Sequence, residues 1–297
     1  LPDNYYFAIN PGQLAKDLEE VFADILRASA SAASVAANST SLLTETAVYQ
    51  ASFSSERWSG DLRAFEVLSD GSLSTTFDWS AAQELDALSP TGIDNRNIIT
   101  NSPLSTSGAT DGELLSTGGL DFEWSDLTNV QKQALRLNSD GTLATLTVAE
   151  SRLEYLRGKR DEERTSAAPS QPFRERDSRL GDIINSNPQF IYRQDFGYGT
   201  LDETSAYSGI TPYKDWREGT VYQGRPPVLV VGANDGMLHG FNADPTSLDV
   251  GEELFAYVPS DIFDNLSSLT YQDYSHRYFV DGTPRIADVW LGSTDGW

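Results

Sequence analysis

The chain has no cysteine, one methionine and two histidines in 297 residues. Without thiols there is no disulfide and no thiolate nucleophile or metal ligand. With His239 and His276 as its only histidines, zinc would be short of its usual nitrogen and sulfur donors. Basic residues are scarce as well. Lys and Arg number 21 against 44 Asp and Glu, a formal charge of −23. A field of that sign repels phosphate backbones, which argues against nucleic acid as a partner. A solvated acidic surface is the plain reading of the excess, with divalent cations as the sharper alternative. No apolar run reaches transmembrane length, and "LPDNYYFAIN" lacks the basic and apolar regions of a signal peptide. The chain is therefore read either as cytosolic or as an internal piece whose targeting signal lies elsewhere.

What is present is aromatic and turn-rich. Phe, Trp and Tyr make up 11% of residues, which suits β structure better than a helical bundle. Asp is followed by Gly at Asp70, Asp111, Asp140, Asp235, Asp281 and Asp295. Between apolar runs this dipeptide is a strong hairpin signal, so an antiparallel architecture is expected. Near the start, Leu14, Leu18, Val21, Phe22 and Ile25 fall at helical spacing behind Pro11, predicting a helix that runs into a weaker Ala/Ser tail. Residues 1–45 are read as a linker with this helix, and 46–297 as a β domain interrupted by a loop and helix insertion at about 101–172. Two short helices are expected there, in "WSDLTNVQKQALRLN" and "VAESRLEYLRG", followed by "KRDEERTSAAPSQP", which is too polar to bury. The last third reads as hairpin, strand, a short helix with Ser260 as N-cap, and a second hairpin around Asp281.

The segment "VLVVGANDGMLHGFNA", Val228 to Ala243, is the most regular. Val228 to Val231 is expected to be a buried strand, and Asn234-Asp235-Gly236 a tight turn with Gly236 left-handed. A dinucleotide loop would need G-x-G-x-x-G opening a helix, and that spacing is absent. A calcium loop needs oxygen ligands at alternating positions, whereas Asn234 and Asp235 are adjacent. His239 is read as structural. "VYQASFSSERWSGDLRAFEV" has a similar layout, with Trp58 and Phe65 expected to pack within that first hairpin. The adjacent pairs Glu162-Glu163 and Glu252-Glu253 are expected to be solvated. No catalytic or cofactor-binding residue is assigned, and a metal site is left open.

Several ordered motifs resemble one family. "YLRG", "FRERDSRLGDIINSNP", "VLVVGANDGMLHGFNA", "ELFAYVPS" and "HRYFVDGTPRIADVW" are similar, in order and spacing, to the C-terminal region of the type IV pilus PilC/PilY family of tip-associated adhesins. The resemblance implies a mainly β fold, a modified quinoprotein-like β-propeller, incomplete in this chain. Blades of such repeats take about 40–50 residues, so only about two fit after Arg179 and the chain is expected to be a fragment. The implied role is non-enzymatic, in pilus assembly, surface attachment and twitching motility. Its implied partners are pilins, minor pilins and host or abiotic surfaces. The implied location is the pilus tip or outer membrane of a Gram-negative bacterium. The family's calcium loop has no match in these residues, so calcium is expected only outside them. Two alternatives share the fold. One is a quinone-cofactor dehydrogenase, which would need a cofactor pocket with stacking Trp. The other is a generic secreted propeller that binds proteins or glycans.

Overall fold

A computed structural model describes residues 32–37 (backbone only), 47–101, 119–200 and 211–289. Its architecture is mainly β with short helices. Four antiparallel strands form the first sheet in the order β1 (Ala32–Ala37), β2 (Ala47–Ser54), β3 (Ser59–Glu66) and β4 (Trp79–Ser80). The Ala/Ser tail assigned to the first helix is therefore a strand over Ala32–Ala37, in register with β2. Four of its six residues are Ala and favour helix, so here tertiary pairing overrides propensity: the edge of β2 offers a hydrogen-bonding ladder instead. The amphipathic part of that predicted helix lies outside the described residues, as do the Ser/Thr/Gly-rich loop and the Asp111 and Asp295 turns.

The second sheet has six strands in the order β6-β5-β10-β9-β8-β7, comprising β5 (Ile98–Asn101), β6 (Gly119–Asp121), β7 (Gln189–Ile191), β8 (Val228–Gly232), β9 (Leu238–Asn242) and β10 (Glu253–Val258). All pairings are antiparallel except β10 with β5. Neither sheet closes on itself, and the described residues form no ring of blades.

Four helices matter for packing. They are α1 (Ala81–Ala87), α2 (Pro90–Asp94), α3 (Asn129–Ala134) and α4 (Leu146–Leu156). Helical spacing predicts α3 and α4, whereas α1 falls in a stretch read simply as part of the β domain. The start of α1 is set by Ser80, whose hydroxyl accepts from the Gln83 amide at 3.2 Å, a normal N-cap. Thr128 and Gln131 form a capping box at α3. Side chains from the 101–172 stretch take part in the core. Phe122, Leu135, Leu153, Leu156 and Phe173 pack in one cluster with Met237, Ala256, Val258 and Phe263. A second cluster joins the two sheets, through Tyr49, Leu62 and Trp79 on one side and Leu229, Val231 and Phe241 on the other. Each such side chain contributes about 1.5–3 kcal/mol on leaving water.

Two further expectations are corrected. Ser260 begins a 3₁₀ turn (Ser260–Ile262) without capping it, and its hydroxyl instead accepts from the Asn101 amide at 3.0 Å. The Asp281 region forms no hairpin among the described residues. Asp281 and Thr283 are instead engaged through their side chains, in contacts described below.

Candidate functional site

The turn between β8 and β9 organises the polar interior. Gly236 has φ 93°, as its left-handed role requires. Val228 is half-buried and Leu229 to Val231 are buried. The Asp235 carboxylate accepts from the Met237 amide at 3.1 Å and from the Gly181 amide at 2.8 Å. It also receives His239 Nε2 at 3.2 Å, while His239 Nδ1 reaches Glu253 at 2.7 Å. Arg96 completes the cluster, gripping Glu253 with Nε at 2.7 Å and Nη2 at 2.9 Å and donating Nη1 to the Arg157 carbonyl. His239, Glu253 and Arg96 side chains are each at most 5% exposed.

The electrostatics follow from this packing. Burial pushes the His239 pKa down, but the Asp235 charge and hydrogen bonds to Asp235 and Glu253 outweigh it and raise the pKa to about 9. Burial also opposes ionisation of Glu253, yet Arg96 and His239 hold its carboxyl well below the usual range. At neutral pH the imidazole is thus a cation whose two N–H groups both donate to carboxylates. It keeps no lone pair for proton abstraction or metal ligation.

A second set of contacts lies on the Asn234 side. The Asn234 backbone donates to the Asp182 carbonyl at 2.9 Å and its amide to the Asp182 carboxylate at 2.8 Å. Its side-chain oxygen accepts from the Phe279 amide at 2.9 Å. His276 Nε2 meets the same Asp182 carboxylate at 2.8 Å, and its ring stacks on Trp58 with centroids 3.8 Å apart. Burial raises the Asp182 pKa against the opposing hydrogen bonds from Asn234 and His276. Asp281 accepts from both the backbone and side-chain nitrogens of Asn185, and Thr283 accepts from those of Asn187. Ser186 accepts from the Gly232 amide at 2.9 Å. Three motifs distant in sequence, "GDIINSNP", "GANDG" and "HRYFVDGTP", therefore meet as one hydrogen-bonded unit. Backbones approach too closely for side chains here. A Cβ on Gly181 would lie 2.3 Å from the Asp235 nitrogen, and one on Gly232 would lie 2.4 Å from the Val280 carbonyl oxygen.

Several expected positions are displaced. The two glutamate pairs split, with one member of each buried. Glu253 sits in the cluster above, and Glu163, 3% exposed, is bound by Arg176 Nε at 2.7 Å. A buried carboxylate is tolerable only with such a partner, and these stand 13 and 157 residues away in sequence. Trp58 stacks on His276, outside the first hairpin. Asp182 and Arg96 were not singled out. Asp182 lay within a recognised motif, whereas Arg96 is 157 residues from Glu253 and carries no local signal. Among the described residues no group of three or more His, Asp or Glu is arranged to hold a metal ion. No described helix is long and apolar enough to cross a membrane.

Residues 180–295 match the family model described as the PilY1 beta-propeller domain. Over 250 residues the chain is 36% identical to the type IV pilus biogenesis factor PilY1 of Pseudomonas aeruginosa strain PAK, an alignment covering 82% of this chain and 19% of that protein. A PilY1 homolog from Xylella fastidiosa strain Temecula1 is 30% identical over 289 residues, covering 97% of this chain and 20% of that one. The chain thus spans about one fifth of the length of these curated relatives. No solved structure matches. Asp182, Asn234, Asp235, His239, Glu253 and His276 all fall inside the matched segment, while Arg96 and Trp58 reach into it from outside. With its hub inside the matched segment and its relatives aligned along most of its length, the chain belongs to the PilY1 family.

Proposed function

We propose that the protein acts in type IV pilus biogenesis as a non-enzymatic scaffold at the cell surface, engaging pilins or minor pilins and supporting attachment and twitching. The observation that carries this reading is the 36% identity, over 250 residues, to a protein named as a type IV pilus biogenesis factor. The hub supports the non-enzymatic part. Its ionisable groups are turned on one another, and its carboxylates are occupied by N–H donors. In this reading the two sheets are parts of a β-propeller, and the hub holds the polypeptide of neighbouring parts in register. No cofactor is assigned to these residues.

Deleting the coding gene and counting surface pili tests the assignment. Loss of pili and of twitching zones, restored by the wild-type gene, is the expected result. Normal piliation in the deletion strain would refute it.

A further inference from the structure

A depression of about 820 Å³ lies over the outer face of the β2–β3 hairpin. Its floor is three cross-strand pairs, Gln50 with Arg63, Ser52 with Asp61 and Ser54 with Ser59. One wall is Ser80 through α1, including Gln83. The opposite face of the same strands is apolar and buried, with Tyr49, Ala51, Leu62 and Ala64 at most 2% exposed. Alternation thus fixes which side chains line the depression. Three pairs two residues apart span about 13 Å at the rise of an extended strand.

Two features separate this groove from the rest of an acidic surface. First, its charges cancel locally. Asp61 is held by Arg63 Nε at 2.5 Å, the Ser80 hydroxyl at 2.7 Å and the Ala82 amide at 3.2 Å. Asp86, at the rim, accepts from Arg160 and from the Arg179 amide. A chain of net charge −23 therefore presents here a groove close to neutral. Second, most of its remaining polar groups make no hydrogen bond, although the Arg63 guanidinium lies over the Phe77 ring, 5.1 Å from its centroid. The Gln50 and Gln83 amides, the Ser52, Ser54 and Ser59 hydroxyls and the Arg63 terminal nitrogens have no hydrogen-bond partner among the described residues.

These features select the ligand. A cationic peptide would need free carboxylates, an anion would need a net positive wall, and an amphipathic helix would need an apolar floor. A sugar hydroxyl both donates and accepts, and it pairs equally with amide, hydroxyl and guanidinium groups. We propose that this groove binds a neutral oligosaccharide, with Gln50, Arg63 and Gln83 as its principal contacts. The site goes beyond the pilus assignment and does not depend on it, since sugar binding and piliation are measured separately.

The intact protein is titrated with chitohexaose, cellohexaose and lacto-N-tetraose by calorimetry, beside a sulfated heparin oligosaccharide and a short oligolysine. Saturable binding of at least one neutral sugar is expected, weakened about tenfold or more in the Gln50→Ala, Gln83→Ala double variant. Both positions are outside the core, so that variant should melt with the parent. Ser52→Ala serves as a second, milder probe on the same floor. The proposal is overturned if no neutral sugar binds at millimolar concentration, or if only the sulfated sugar or the oligolysine binds. It is equally overturned if neutral-sugar binding is unchanged in the double variant.

Discussion

The two hairpins β2–β3 and β8–β9 look alike in sequence and do opposite things in the structure. Each is an apolar strand, a polar turn and a return strand carrying Gly. In β2–β3 one face is buried and the other lines an open polar groove. In β8–β9 every residue of both strands except Val228 and Leu238 is buried. The turns differ in the same sense. Gly236 takes the left-handed position between β8 and β9, whereas Trp58 occupies it in β2–β3 with φ 56°, at a cost of about 1–3 kcal/mol for a non-glycine residue. A hairpin sunk in the core needs a turn without strain and polar groups that are satisfied internally. A hairpin at the surface can carry strain where a side chain, here Trp58, gains a stacking partner in His276.

The sharpest way to break this contrast is to remove an internal partner of the buried hairpin. Glu253→Ala leaves the buried Arg96 guanidinium without its ion-pair partner and His239 with Asp235 alone. Loss of one member of a buried ion pair costs about 3–5 kcal/mol. Denaturant unfolding should show a destabilisation of that size, if the variant folds at all. The Ser54→Ala change on the exposed hairpin should leave the midpoint where it was. Equal, small shifts for both would mean that the cluster is not a structural anchor.

How much of this was legible in the sequence depends on the range of the signal. Gly236, the β8 strand, α3 and α4 were readable because turn chemistry, apolar runs and helical spacing are local. The same local rules misplace Ala32–Ala37, where an alanine-rich stretch with high helix propensity is captured by pairing with β2. They also misread Asp281-Gly282 as a hairpin, because its carboxylate is used to hold Asn185, a contact 96 residues away. Glu163 and Glu253 looked solvated for the same reason. The arginines that neutralise them, Arg176 and Arg96, lie 13 and 157 residues off; neither spacing is a helical or strand period, so local pattern does not pair them. The parallel pairing of β5 with β10 is of the same kind.

Acidity and alkalinity probe the two ends of the buried cluster separately. The His239 pKa is raised to about 9 from an ordinary 6.5, so the folded state holds that proton more tightly than the unfolded chain. Its stabilisation is complete below about pH 6.5 and is lost as pH rises through about 9, on the order of 3 kcal/mol by linkage. Glu253 has the opposite sign. Its carboxyl is depressed, so its contribution is present above the ordinary carboxylate range and is lost as pH falls below it. Melting temperature should therefore hold a plateau near pH 5–6.5 and decline towards pH 9–10. The decline should flatten in His239→Gln. An alkaline slope identical in the two proteins would place the titration elsewhere.

Exchanging the character of the two turns should give the smallest effects. At Gly236 an added Cβ meets φ 93° and lies 2.7 Å from Leu266 Cδ2. Gly236→Ala should therefore destabilise by about 1–2 kcal/mol, mostly through backbone strain. At Trp58 two terms oppose each other. Glycine relieves the left-handed strain but forfeits the stacking on His276, worth about 0.5–1.5 kcal/mol. Trp58→Gly should thus fall within about 1 kcal/mol of the parent. Trp58→Ala keeps the strain, loses the ring and should be the less stable of the two. Chemical denaturation of both variants in parallel decides the matter. If alanine proves more stable than glycine at this position, the strain assigned to Trp58 is absent, and the two turns differ only in what their side chains touch.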